Sequence, residues 1–334
     1  MLPTPALAAH RHCPYEFMSV WDADGTGQVD FKASDVDAPH LGHIIENRLL
    51  TGALLEGLDR QPGISLISPA RVADLDLSAD GQVSLEFEDG SALSASLVVG
   101  ADGALSRLRE LGGFQTREWD YGHSALVTSV TTERPHGACA YQRFLATGPL
   151  AFLPLPDIDG SHCCSIVWSA DTERAEALMA LDEAAFNAEL GAALEHRLGQ
   201  VTASSPRLCF PLRQRHATDY VKPGLALVGD AAHTIHPLAG QGINLGLQDV
   251  SALAEELGAA ARRGANPGDL DLLLRYQRRR KGENLLMMAA MDGFKRLFGD
   301  RKLPVRWLRN TGMHWVDRSG PLKQQLMRHA MGVR

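Results

Sequence analysis

The stretch Leu225-Ala-Leu-Val-Gly-Asp-Ala-Ala-His-Thr-Ile-His-Pro-Leu-Ala-Gly-Gln-Gly-Ile-Asn-Leu-Gly246 decides the fold. Its first four residues are wholly apolar, which reads as a short strand buried on both faces. The strand delivers Gly229 and Asp230 at its carboxyl end, where open α/β sheets bind their ligands. A carboxylate there can accept hydrogen bonds from ribose or ribityl hydroxyls; the other reading makes Asp230 a helix N-cap. Gly240, Gly242 and Gly246 follow with the spacing G-x-G-x-x-x-G, one residue longer than the dinucleotide fingerprint and not directly after the strand. Gly240 and Gly242 let a backbone approach something closely, and the helix predicted to begin at 242–244 turns its free N–H groups toward it. His233 and His236 lack the further ligands of a metal set, so they read as structural residues or polar lining.

A second stretch of the same kind lies upstream. Leu97-Val-Val is apolar and runs into Gly100-Ala-Asp-Gly103, again a buried strand ending in a glycine-rich turn. Around these two strands the periodicity predicts a helix over 43–60 and strands over 71–77, 83–87 and 92–99. The Asp89-Gly90 dipeptide marks a hairpin turn between the last two. Residues 118–218 differ in texture. They predict strands over 125–131, 138–146, 163–168 and 208–212, and one helix from 173 into the 190s. Long helices are expected over 242–263 and 269–298. The layout suggests an α/β fold class: a nucleotide-binding body interrupted by an inserted, mostly antiparallel sheet layer, with a C-terminal helical tail. The expected parts are 1–117 (nucleotide-binding, first part), 118–218 (sheet layer over the substrate), 219–298 (nucleotide-binding, second part) and 299–334 (tail).

Composition excludes several classes. The 334 residues are 45% hydrophobic and 22% charged with net charge −7, which is ordinary globular composition and argues against a basic nucleic-acid binder. No apolar run is long enough to span a membrane, and the first residues do not read as a signal peptide. Five cysteines with no C-x-x-C pair argue against a zinc ribbon or disulfide framework and fit a reducing cytoplasm. Asp22-Ala-Asp-Gly-Thr-Gly-Gln-Val29 resembles the start of a calcium loop, but Ala33 stands where a bidentate Glu is needed, so it reads as a turn between strands. Charge is uneven. Residues 295–334 carry ten Lys/Arg against two Asp, net +8, leaving −15 on the rest. Large apolar residues alternate with these bases, including Phe298, Trp307 and Trp315. The pattern fits a helix pair packed on the body with a basic outer face, or a membrane-surface element.

Together the two glycine-rich segments are similar to the signatures of the para-hydroxybenzoate-hydroxylase-like flavin monooxygenases. Gly229-Asp230 through Asn244 resembles their second FAD motif, and Val99-Gly-Ala-Asp-Gly-Ala-Leu-Ser-Arg-Leu-Arg109 resembles the signature that serves FAD and the pyridine nucleotide. His40-Leu-Gly-His-Ile-Ile-Glu-Asn47, Trp119-Asp-Tyr121, Ala151-Phe-Leu-Pro-Leu155 and Leu326-Met-Arg-His-Ala-Met-Gly332 resemble the ubiquinone-biosynthesis branch. The resemblance covers nearly the whole chain. It implies FAD as cofactor, NADPH or NADH as electron donor, and hydroxylation of the ring of a polyprenylated phenol. It implies cofactor contacts at Arg48, Asp102, Gly103, Arg109, Gly229, Asp230, Pro237, Gly240, Gly242, Ile243 and Asn244, with no metal and no catalytic side chain assigned. Partners would include other ubiquinone-biosynthesis proteins, and the location would be cytoplasmic, peripheral at the inner face of the membrane. A non-enzymatic assembly protein and a hydroxylase of a soluble aromatic compound are the competing expectations.

The family's opening strand–GxGxxG–helix unit is not found in the 334 residues. The resemblance therefore implies an incomplete Rossmann-like FAD-binding domain; the expectation is a truncated chain or a late start, ahead of a genuine short paralogue without flavin, with weak FAD binding and impaired or no activity in the chain as it stands.

Overall fold

The structure is a computed structural model that describes residues 12–78, 82–234, 242–299 and 302–331. In chain order, strands β1 (His12–Tyr15), β2 (Phe17–Asp22), β3 (Gln28–Lys32) and β4 (Gly42–Ile45) precede helix α1 (Asn47–Asp59). Strands β5 (Val72–Leu77), β6 (Val83–Phe87), β7 (Ala92–Ala95) and β8 (Val98–Gly100) lead to the short helix α2 (Arg107–Leu111). Next come β9 (Thr116–Thr132), β10 (Cys139–Leu145), β11 (Gly148–Pro154) and β12 (His162–Asp171), then helices α3 (Thr172–Ala180) and α4 (Glu183–Ala193). Strands β13 (Val201–Ser204), β14 (Leu208–Ala217), β15 (Val221–Lys222), β16 (Leu225–Leu227) and β17 (His233–Thr234) follow. Helices α5 (Gly242–Ala261), α6 (Leu270–Gly299), α7 (Leu303–Arg318) and α8 (Gly320–Ala330) complete the described chain.

These elements form two compact units. The first gathers the described residues up to Leu66, Gly122–Pro211 and the residues from Phe294 on; the second gathers Ile67–Tyr121 and Leu212–Gly293. This grouping differs from the expected parts. Residues 118–121 and 212–218 lie in the second unit and not with the sheet layer, and the residues from Phe294 on lie in the first unit and not in a nucleotide-binding part and a separate tail. Residues 12–66, expected in the nucleotide-binding part, belong with the large sheet. The cause is β2, which pairs in parallel with β10, from Phe17↔Cys139 to Asp22↔Phe144.

In the first unit the sheet order is β9-β12-β11-β10-β2-β3, with β13 added on β9. Its core sets Leu126, Leu150, Phe152, Ile166 and Trp168 of the strands against Leu178, Phe186 and Leu190 of the helices. The single helix expected from 173 onward is two. Leu181 is extended, and the Asp182 carboxylate caps α4 by accepting the Ala185 N–H at 2.7 Å.

In the second unit β8 and β16 are parallel neighbours, with Val98 opposite Leu225, Val99 opposite Ala226 and Gly100 opposite Leu227; β15 closes the far side of β16. Leu225, Ala226, Leu227 and Val228 are fully buried against Ala252 and Leu253 of α5 and Leu272, Leu273 and Tyr276 of α6. The Tyr276 hydroxyl donates to the Leu227 carbonyl at 2.8 Å, so the one polar atom on that buried ring is satisfied. A separate antiparallel sheet, β5-β6-β7, turns at Asp89-Gly90 as its sequence requires. Gly90 has φ 82°, and the Asp89 carboxylate accepts the Ser91 N–H at 2.9 Å. Among the described residues no helix is long and apolar enough to cross a membrane.

Candidate functional site

Parallel pairing of β8 and β16 puts both glycine-rich turns at the same end of one sheet. The Val228 N–H donates to the Gly100 carbonyl at 3.0 Å, and beyond that bond the chains diverge into Ala101-Asp102-Gly103 and Gly229-Asp230. Arg109 braces the two turns. Its guanidinium donates to the Ala231 carbonyl and to the Ala104 carbonyl, each at 2.9 Å. Burial, and then the nearby Arg215, lower the Arg109 pKa from its ordinary value. Arg215 also donates to the Ala104 carbonyl and pairs with Glu118 at 2.5 Å; the hydrogen bond from Arg215 is the main reason the Glu118 carboxyl sits below the usual carboxylate range.

The two motif aspartates have different jobs. Asp102 is committed locally: its oxygens accept the Ser106 hydroxyl and the Leu108 N–H, the latter at 3.0 Å, and Ser106 in turn caps α2 by accepting the Arg109 N–H at 2.9 Å. Among the described residues no donor reaches the Asp230 carboxylate. Desolvation raises its pKa above the usual carboxylate value, with the neighbouring His233 pulling the other way. Asp230 is exposed at this turn, so its carboxylate can accept from hydroxyl or N–H groups of a bound molecule.

Glycine sets how closely the second turn and α5 approach. Gly229 has φ 59°, and a Cβ on Gly246 would come within 3.2 Å of the Gly229 Cα, so the first turns of α5 press on the turn that carries Asp230. At Gly103, φ is 82° and a Cβ would meet nothing within 4 Å; open space lies before the first turn. Helix α5 begins at Gly242, with Ile243 and Asn244 exposed on its first turn. The first N–H groups of a helix have no intrahelical acceptor and favour negative charge.

A buried polar network lies behind the site; of its members the sequence marks only His233, as a structural residue or polar lining. Asp249, on the inward face of α5, is completely buried; it accepts the Gly229 N–H at 3.1 Å and lies 2.5 Å from His233 Nε2. Arg280 of α6 donates to its other oxygen at 2.8 Å and to Asn284 at 3.1 Å. Asn284 reaches the Tyr220 hydroxyl, which lies 2.9 Å from His216 Nε2. Burial opposes ionisation of Asp249, yet the His233 and Arg280 contacts and the Gly229 N–H together hold its carboxyl below the usual range. Burial, then the charges of His233, Lys281 and Arg117, push His216 down to about 4.

Of the residues expected to touch a cofactor, the structure brings together Asp102, Gly103, Arg109, Gly229, Asp230, Gly242, Ile243 and Asn244 in the second unit. Pro237 and Gly240 lie outside the described residues, as does His236. Arg48 belongs to the first unit, in the first turn of α1, where its exposed guanidinium pairs with Glu46 at 2.6 Å. Among the described residues no group of three or more His, Cys, Asp or Glu is placed to hold a metal ion.

Residues 52–288 match the family model described as an FAD binding domain. The chain is 40% identical to the 3-demethoxyubiquinol 3-hydroxylase of Escherichia coli, across 98% of this chain and 82% of that one. It is 45% identical to the ubiquinone hydroxylase UbiL of Rhodospirillum rubrum, across 88% of this chain and 67% of that one. The chain belongs to the FAD-dependent aromatic hydroxylase family. Solved structures agree on the fold. PqsL of Pseudomonas aeruginosa, a probable FAD-dependent monooxygenase, superposes with a TM-score of 0.77 at 23% identity, over 93% of this chain and 84% of that one. HpxO of Klebsiella pneumoniae, complexed with FAD and uric acid, gives 0.73 at 17% identity, over 98% and 82%.

The residues of this flavin-dependent monooxygenase fit FAD. The ribityl chain of FAD offers hydroxyl donors, which suit the exposed Asp230 carboxylate, to which no described residue donates. Its pyrophosphate and flavin carbonyls are negative groups that suit the start of α5. The open space beside Gly103 leaves backbone accessible there.

Proposed function

We propose that this flavin hydroxylase acts on the aromatic ring of a polyprenylated phenol on the route to ubiquinone, with NADPH or NADH supplying electrons. The observation that carries the reading is 40% identity, across nearly the whole chain, to a relative named for hydroxylating 3-demethoxyubiquinol. UbiL and the human ubiquinone biosynthesis monooxygenase COQ6, 33% identical across 96% of this chain, support the same class.

When bound, FAD supplies the activation of dioxygen. The chain's part is to hold and orient that group and to keep water from it. Asp230 would accept from the ribityl hydroxyls, Gly242, Ile243 and Asn244 would offer backbone and side-chain groups to the cofactor, and Arg109 and Asp249 keep the two turns in place. No side-chain nucleophile is required.

The test is product analysis. The chain is loaded with FAD, supplied with NADH or NADPH, and given a polyprenylated phenol or its tail-less counterpart. A product heavier by one oxygen atom is expected from the tailed phenol. Equal turnover of the tail-less phenol would remove the polyprenyl part of the reading, and no product from flavin-loaded protein would remove the hydroxylase part.

A further inference from the structure

Three histidines meet on a small ribbon of the first unit, apart from the residues of the flavin site. Strands β1 and β4 pair antiparallel, with Pro14 opposite His43 and His12 opposite Ile45. Residues paired across a ribbon share a face, as do alternate residues along a strand, so His12 and His43 stand on the same side. Their ring centroids are 5.3 Å apart. His40 comes from the segment just ahead of β4 and meets the His43 ring edge to face, with centroids 4.2 Å apart and an interplanar angle of 69°. The two Nε2 atoms are 2.8 Å apart, at hydrogen-bond distance. A hydrogen bond between two imidazoles needs a lone pair on one of the bonded nitrogens, so the two rings are not both protonated. His43 is exposed and His40 half-buried, so solvent reaches the pair.

We propose that His40 and His43 form a two-imidazole site for a divalent copper or nickel ion. Neutral imidazole is a ligand that suits these metals. The spacing of the nitrogens selects the coordination geometry. Two imidazole–metal bonds of about 2.0–2.1 Å at a right angle hold their nitrogens about 2.9 Å apart, whereas tetrahedral angles require about 3.4 Å. The 2.8 Å between the two Nε2 atoms fits the right angle of square-planar or tetragonal copper(II) and nickel(II), and not tetrahedral zinc. For the ion to bind, both Nε2 atoms must present lone pairs, so in the neutral pair the donating ring carries its hydrogen on Nδ1 instead. Among the described residues no group of three or more His, Cys, Asp or Glu converges on one point, so water completes the coordination. His12 packs its ring against His43 and limits the swing of that ligand. The bound ion would tie the segment that carries His40 to β4. The site does not depend on which phenol is hydroxylated.

Copper(II) titration of the full chain at neutral pH, read by electron paramagnetic resonance, tests it. The tightest equivalent of copper is expected to give an axial spectrum split by two nitrogen nuclei. His40→Asn with His43→Asn should lose that equivalent. Either change alone should weaken it about a hundredfold, because the second imidazole binds as an intramolecular ligand. Neither side chain is buried, so the circular dichroism spectrum and the metal-free melting temperature of the variants should be unchanged. An ion that binds only the folded chain raises its melting temperature, so copper or nickel should raise that of the original chain and not that of the double variant. His162→Asn removes an imidazole elsewhere in the same unit and should leave the tightest equivalent in place. Equal copper affinity in the original chain and the double variant overturns the proposal. So does a tightest equivalent with fewer than two nitrogen couplings, and so does a site that takes zinc in preference to copper.

Discussion

The Asp249 carboxylate holds both ends of the turn that carries Asp230: one oxygen accepts the Gly229 N–H at 3.1 Å and lies 2.5 Å from His233 Nε2. Asp230 sits between these two anchors, and no described residue donates to its carboxylate. Arg280, also buried, neutralises Asp249 from α6 at 2.8 Å. Removing one member of such a pair leaves an uncompensated buried charge, which costs about 3–5 kcal/mol. Asp249→Ala should therefore destabilise the protein by that order in urea denaturation and should also weaken FAD binding, since the turn loses both anchors. Asp249→Leu combined with Arg280→Met should recover much of the stability but not the FAD affinity. Recovery of both would mean that Asp249 only satisfies Arg280.

The same network makes stability depend on pH. His216 is pushed down to about 4 by burial and nearby positive charge. Its unfolded value is about 6.5, so below that pH the unfolded chain takes up a proton that the folded chain refuses. The contribution is full above about pH 6.5 and is lost as pH falls toward 4, with a loss on the order of 3 kcal/mol. Asp249, also depressed, adds a second loss below about pH 4, the unfolded carboxylate value. Urea midpoints measured from neutral pH downward should fall along this curve. His216→Gln should flatten the upper part and leave the lower part; a slope unchanged in that variant would assign it to other groups.

Asp230 should show the opposite balance, with binding affected and stability not. Its carboxylate makes no bond to a described residue and is partly desolvated, so Asp230→Ala should leave the melting temperature of the flavin-free chain unchanged or slightly higher. A hydrogen bond to a charged group contributes about 1.5–3 kcal/mol, so the same variant should bind FAD about ten- to a hundredfold more weakly. Fluorescence titration of FAD measures it, and an unchanged Kd would remove Asp230 from the cofactor site.

What the sequence made legible was local or periodic. The Asp89-Gly90 turn announces its hairpin in two residues, and the apolar runs at 98–99 and 225–228 announce buried strands whose carboxyl ends carry the site. Strand β11 was not legible because Pro149 and Pro154 fall inside it and argue against a strand. Asp249 was not legible because one acidic residue on an amphipathic helix looks solvated until Arg280 arrives on another helix. The grouping of residues 12–66 with the large sheet rests on parallel pairing with a strand far along the chain, for which no local pattern exists. Asp22 shows the same limit. In sequence it heads a calcium-like loop, and in the fold it receives an arginine from the C-terminal region.

Asp22 and Arg309 are almost fully buried at 2.6 Å, and Arg309 also stacks over Phe298, its guanidinium carbon 5.1 Å from the ring centroid. Asn310 lies against Gly25 and Gly27, where a Cβ would meet its side-chain amide within 2.2 and 2.7 Å; at Gly27 it would also come within 3.1 Å of the Asn310 Cα, so a side chain there presses on α7 itself. Arg309→Met should strand the Asp22 charge and destabilise the first unit by about 3–5 kcal/mol. Asp22→Asn with Arg309→Met should be milder, because no full charge is left buried. Gly27→Ala should weaken the same seat without touching the ion pair. If α7 is held through this contact, hydrogen exchange of its amides in Arg309→Met and Gly27→Ala should quicken ahead of that of β12. Exchange that quickens equally in α7 and β12 would mean that the ion pair supports the whole unit and not the seating of the helix.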